Sequence, residues 1–195
     1  MYKIFICTPF LLILTQASLS KINSNATIPW EYPLFNQCDP RWAEDIMDTK
    51  TICSVGCLMS STAMGIAGHG IPIKSIEGHD VDSTSKTLNQ WLRENGGYDG
   101  GNNLIEGVVP EIDPTRIFWS DDDFHVNNDI PYDTVATYLE DGRVVIANVN
   151  DGGHFVLLVG YSSDGDTLFV NDPGYDRDTY SYKDDVVGYR IFDMI

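Results

Sequence analysis

A nucleophile, a base and an acid can be picked out of this chain by residue type and placement. Cys57 follows Gly56 and opens an apolar stretch to Ala67 that reads as a buried helix. A helix start carries partial positive charge and unpaired N–H groups, which favour the thiolate, the nucleophilic form of cysteine. Gly56 lets the backbone turn sharply and lets a substrate come close. The competing reading is an ordinary buried cysteine, since cysteine is among the most buried residue types. Four histidines are available as a base. His69 lies between two glycines at a helix end, His79 sits in a polar loop, and His125 follows Asp121-Asp122-Asp123. These three read as structural or surface residues. His154 differs, because it follows Asp151-Gly152-Gly153 and opens the apolar strand Phe155–Val159. The first residue of a strand is held rigidly while its side chain can still face a cleft.

The third group should orient the imidazole through its other nitrogen. Asp172 ends the next strand, in Val170-Asn171-Asp172-Pro173-Gly174. If strands 154–161 and 167–172 form a hairpin, His154 and Asp172 share one end of it, and Asn171 points to the opposite face. The same residues also read as a plain turn. Acyl transfer needs donors for the oxyanion. The N–H of Cys57 and the amide of Gln37 are candidates, although one glutamine by itself means little.

The elements that must position these groups fall in two halves. Cys57–Ala67 is expected as one helix, ended by Gly68 and Gly70. Thr84 or Ser85 can cap a second, running to about Asn95 with Leu88, Trp91 and Leu92 on one face. A short helix is expected over Pro131–Glu140. Strands are expected over Val144–Val149, His154–Tyr161, Thr167–Asn171 and Val186–Phe192. Helices followed by antiparallel strands indicate an α+β fold.

Composition narrows the partners. Twelve basic and 29 acidic side chains give a formal net charge of −17 over 195 residues. Nucleic acid is not expected, because phosphate binding needs a basic stripe. Docking on anionic lipid is not expected on the same ground. Residues 1–20 read as a secretory signal peptide, with Lys3, the apolar run Ile4–Leu14, and Ser18 and Ser20 before the cut. Cleavage leaves no membrane segment, and the mature protein is expected to be secreted, or held in the lumen of the secretory or lysosomal pathway. Residues 21–32 read as an extended tail carrying the glycosylation sequon Asn25-Ala26-Thr27. Removing Cys7 with the signal leaves Cys38, Cys53 and Cys57, an odd number that suggests intermolecular pairing or a free thiol with a role. The acidic loops at 121–123 and 164–166 lack the register of a calcium loop, and no cysteine–histidine spacing suits zinc. No metal or cofactor is expected.

Four stretches, in one order, resemble the peptidase C39-like family. They are Gln37-Cys38-Asp39-Pro40-Arg41-Trp42; Ser54-Val55-Gly56-Cys57 and the helix after it; Thr87–Leu92 with Gly96-Gly97-Tyr98; and Gly153–Tyr161 followed by Val170–Gly174. The resemblance covers most of residues 33–175. It implies a papain-like cysteine peptidase fold over 33–195, with N-terminal helices packed against a C-terminal antiparallel sheet. It implies Cys57 as nucleophile, His154 as base, Asp172 as orienter and Gln37 as oxyanion donor. Leu58-Met59 departs from the small residues the family often has after the cysteine. Cys38 and Cys53 are not general family features; a disulfide between them leaves Cys57 free, whereas any other pairing consumes it. The expected function is a monomeric thiol hydrolase acting on peptide or isopeptide bonds, the acidic charge favouring basic substrates. The alternatives are an acyl or amide transferase, a cell-wall amidase on the same triad, or a non-catalytic binding module on a peptidase fold.

Overall fold

The computed structural model describes residues 25–195. The expected signal peptide, 1–20, and the start of the expected tail, 21–24, lie outside the described residues. The helices come first: α1 (Ile52–Val55), α2 (Cys57–Gly68) and α3 (Ser85–Glu94), with strand β1 (Ala26–Thr27) ahead of them and a small hairpin of β2 (Ile73–Lys74) and β3 (Asp80–Val81) between. A 3-10 helix over Glu106–Ile112, strands β4 (Ile117–Phe118) and β5 (Phe124–His125), and α4 (Tyr132–Glu140) follow. The last part is all strand: β6 (Val144–Val149), β7 (His154–Ser162), β8 (Thr167–Asn171), β9 (Thr179–Ser181) and β10 (Gly188–Met194).

The main sheet is antiparallel with order β4-β10-β6-β7-β8-β9, β1 joining at β7 and β5 at β10. On one face Met59, Ala63, Met64 and Ile66 of α2 pack with Val144, Ile146, Leu157 and Phe192. On the other, Val135 and Leu139 of α4 pack with Val145, Ala147, Val149 and Val156. Both faces are covered, so β6 is apolar nearly throughout instead of alternating. The helix caps are local: Thr84 Oγ1 accepts the Thr87 N–H while the Thr87 hydroxyl accepts the Thr84 N–H, a reciprocal cap for α3.

Three expectations need adjustment. The segment read as a tail docks as an edge strand, Ala26 and Thr27 pairing with Ser162 and Tyr161, and Trp30 stacks on His69 at 5.5 Å. The last strand begins at Gly188 instead of Val186, because Asp184 and Asp185 hold a turn against Ser181. The sheet also draws β1, β4 and β5 from outside the second half. The acidic loops serve turns: Asp164 accepts the N–H groups of Asp166 and Thr167 at 2.9 and 2.8 Å, and Asp123 caps Ser120 and pairs with Arg143.

Candidate active site

Cys57 is the first residue of α2 and a free cysteine, partly exposed. The break that puts it there is set by Gly56: a Cβ at 56 would lie 2.6 Å from the Ile52 carbonyl, so no other residue fits this crossing from α1 into α2. As a first helical residue, Cys57 has an N–H with no acceptor in its own helix. On the facing sheet, His154 opens β7 and is almost fully buried, at 5% exposure. Its Nε2 donates to Asp172 Oδ1 at 2.7 Å. Nδ1 is the nitrogen left free by this bond, and Cys57 lines the same cleft as the imidazole. The hairpin of β7 and β8 brings His154 and Asp172 together, as the sequence reading expects.

Asp172 is held from more sides than the sequence indicates. Oδ1 also accepts the N–H groups of Gly174 and Tyr175, at 2.8 and 3.0 Å, and Oδ2 accepts the hydroxyl of Tyr180 at 2.7 Å. Tyr180 lies on β9 under the guanidinium of Arg177, 3.6 Å from its ring centroid. Tyr175 sets its ring edgewise on His154 at 4.9 Å. Burial works against the Asp172 charge, yet these donors outweigh it and hold the carboxyl below the usual range. Burial also works against a charged His154, but Asp172 and Cys57 together push the imidazole up to about 9. His154 is therefore cationic at neutral pH.

Gln37 sits in a turn between the two halves. Its backbone N–H donates to Pro173 O at 2.7 Å and its Nε2 to Cys53 O at 2.7 Å. Cys38 and Cys53 form a disulfide with Cα atoms 4.3 Å apart. Cys57, His154 and Gln37 thus line one cleft of about 910 Å³, with Asp172 buried behind the imidazole it bonds. Phe155, Leu58, Leu104 and Ile105 supply its apolar lining, and Glu106 pairs with Arg190 at 2.6 Å in its wall. The other histidines lie elsewhere: His69 under Trp30, His125 against Asp129, and His79 in an exposed turn.

Sequence reasoning missed Gly174, Tyr175 and Tyr180. Gly174 had a readable signal, since it follows Asp172-Pro173. A Cβ there would come 2.9 Å from His154 Cε1 and 3.5 Å from Gln37 Oε1. Gly174→Ala is therefore expected to move the imidazole while the fold survives. A misplacement of about 1 Å can cost ~10²-fold in rate, so reactions of Cys57 that need His154 should slow by up to about that much. The check is the Gly174→Ala rate beside an unchanged melting temperature. A wild-type rate would mean that the turn yields without disturbing the ring.

A family model for the Peptidase_C39 like family matches residues 30–191. The chain belongs to the peptidase C39-like family. That match spans both halves of the cleft and every residue of the cluster just described, and a peptidase-type hydrolase is the activity the family suggests. No curated protein and no solved structure gave a match.

Proposed function

We propose that this member of the peptidase C39-like family is a secreted thiol hydrolase of papain-like architecture that cleaves peptide or isopeptide bonds. One observation carries the reading: a free cysteine at a helix start lines the same cleft as a buried histidine whose Nε2 is held by a buried carboxylate. The Cys57 thiolate attacks the carbonyl carbon and forms the C–S bond, while Gln37 Nε2 and the Cys57 N–H receive the oxyanion. His154 gives its proton to the amine as the C–N bond breaks. Water then adds to the thioester, His154 takes the proton, and thiolate and acid are released. The Cys38–Cys53 disulfide fits an oxidising compartment. Among the charged groups lining the cleft, Arg190 is matched by Glu106 while Asp99 stays ionised, held by the side-chain N–H of Asn103 and nearby backbone N–H groups. That balance supports neutral to basic peptides as substrates.

The test is iodoacetamide labelling of the mature protein with peptide mapping, together with cleavage profiling on a diverse peptide library. Labelling confined to Cys57 and cleavage of library members are expected. An inert Cys57 and an uncleaved library would overturn the reading in favour of a binding module. Products in which an added amine replaces water would assign a transferase.

A pH dependence follows from His154. Its proton must leave with the amine, so acylation should fall as pH rises through about 9. Stability should move the same way: an imidazole raised from 6.5 contributes its full stabilisation below 6.5 and loses it as pH climbs to about 9. Asp172, held low, contributes above the ordinary carboxylate pKa and loses that contribution as the solution is acidified through its lowered value. Acylation rate and melting temperature against pH check both. An acylation rate still flat above pH 10 would remove His154 as the proton donor.

A further inference from the structure

α1 and α2 are nearly one helix, interrupted at Gly56. In an unbroken helix the Cys53 carbonyl would accept the N–H of Cys57, four residues on. On either side of the break the helical pattern persists: Gly56 N–H bonds Ile52 O at 2.7 Å and Ser60 N–H bonds Gly56 O at 2.8 Å. The Cys53 carbonyl departs from it and accepts Gln37 Nε2 at 2.7 Å. Gln37 thus occupies the carbonyl that would otherwise take the Cys57 N–H. The same contact sets the orientation of the glutamine amide. Its Oε1 is buried without a hydrogen-bond partner, and a reversed amide would set two oxygens face to face.

The disulfide closes this arrangement into a ring. Cys38 is the chain neighbour of Gln37, and its partner Cys53 owns the carbonyl that Gln37 bonds. The far side of Gln37 is tied by its backbone N–H to Pro173 O. We infer that Cys38 and Cys53 are positioning residues for the oxyanion donors: their link holds the Cys53 carbonyl on Gln37, which fixes Gln37 Nε2 as a donor and keeps the Cys57 N–H unoccupied. Without the link the carbonyl can swing back to the Cys57 N–H, and both donors are lost together. This rests on Cys57 being the nucleophile.

Two reactions of Cys57 separate this role from a merely structural one. Alkylation by iodoacetamide needs the thiolate and builds no oxyanion. Acylation by p-nitrophenyl acetate, followed as the nitrophenolate burst, needs both. In the Cys38→Ser/Cys53→Ser variant, acylation should fall by about 10²-fold or more, given that one oxyanion donor is typically worth ~10²–10³-fold and both are lost. Alkylation, mapped to Cys57, should stay within about twofold. Adding the same two serines to Gln37→Ala should cost little more, because the two changes act through one element. If the serine variant does not fold, both rates are read on wild-type protein after reduction and desalting, and again after reoxidation, which should restore the burst. A wild-type burst without the disulfide, an equal loss in both reactions, or full additivity with Gln37→Ala would overturn the inference. A wild-type protein whose Cys57 takes neither reagent would instead overturn the thiol-hydrolase reading on which it stands.

Discussion

Cys57→Ser should fold as the wild type does and lose activity by about 10⁴-fold or more, on the scale seen when a nucleophile is removed from a catalytic triad. A serine hydroxyl is close to a thiol in size, and the position is partly exposed at a helix start, so stability should stay within about 1 kcal/mol. Chemistry makes the difference. With its pKa pushed up to about 9, His154 is an imidazolium at neutral pH, suited to a thiolate partner and to giving up a proton. A serine in that place needs a neutral base to ionise it, which this environment disfavours. Single-turnover acylation of the folded variant is the measurement. A rate within tenfold of wild type would remove Cys57 from the mechanism.

His154→Ala should be the next most damaging change, at about 10²–10⁴-fold, the usual worth of general acid–base help. The fold should tolerate it, because Asp172 keeps the Gly174 and Tyr175 N–H groups and the Tyr180 hydroxyl. Asp172→Asn should be milder. The remaining oxygen can still accept from the imidazole and the two backbone N–H groups, and the Tyr180 hydroxyl can turn to accept from the new amide. What disappears is the charge, so the alkaline limit on activity should move down from about 9 toward 6.5. Asp172→Ala should be worse than Asp172→Asn in stability. It leaves the imidazole, two N–H groups and a hydroxyl without their acceptor at a site only 3% exposed, and each buried polar group left unpaired costs ~1–3 kcal/mol. If Asp172→Asn in a folded protein proves as damaging as His154→Ala, the carboxylate does more than orient the ring.

The elements that carry the cluster were legible in the sequence because their signals are local. The apolar run after Cys57, the Thr84 cap and the unbroken apolar stretch Val144–Val149 each follow from a few neighbouring residues, and the helices and strands lie there. The hairpin placed His154 and Asp172 at one end by counting residues alone. Residues 98–130 gave little, since a 3-10 helix and two-residue strands have no period to read. Leu104, Ile105 and Glu106 nevertheless supply one wall of the cleft. Tyr180 is not legible for another reason. Its role depends on β9 pairing beside β8, and a lone tyrosine in Asp178-Thr179-Tyr180-Ser181 carries no mark of what it will touch. Gln37 was named on its type, whereas its bond to Cys53 is a contact between two turns that periodicity does not encode.

The sheet has a consequence for how the chain matures. β10, residues 188–194, lies in the interior of the strand order between β4 and β6. Near the other end, Ala26 pairs with Ser162, and Asn171 donates its side-chain amide to Tyr32 O at 3.0 Å. During synthesis Cys57 leaves the ribosome roughly a hundred residues ahead of His154, and the sheet stays open until β10 is inserted. Such distant contacts close slowly, since the entropy of a long loop must be met before any pairing compensates for it. For that interval Cys57 is one of three neighbouring thiols, four residues from Cys53 and free to exchange with it. A truncation that deletes β10 would leave β6 without its partner on that side, next to the strand β7 that His154 opens.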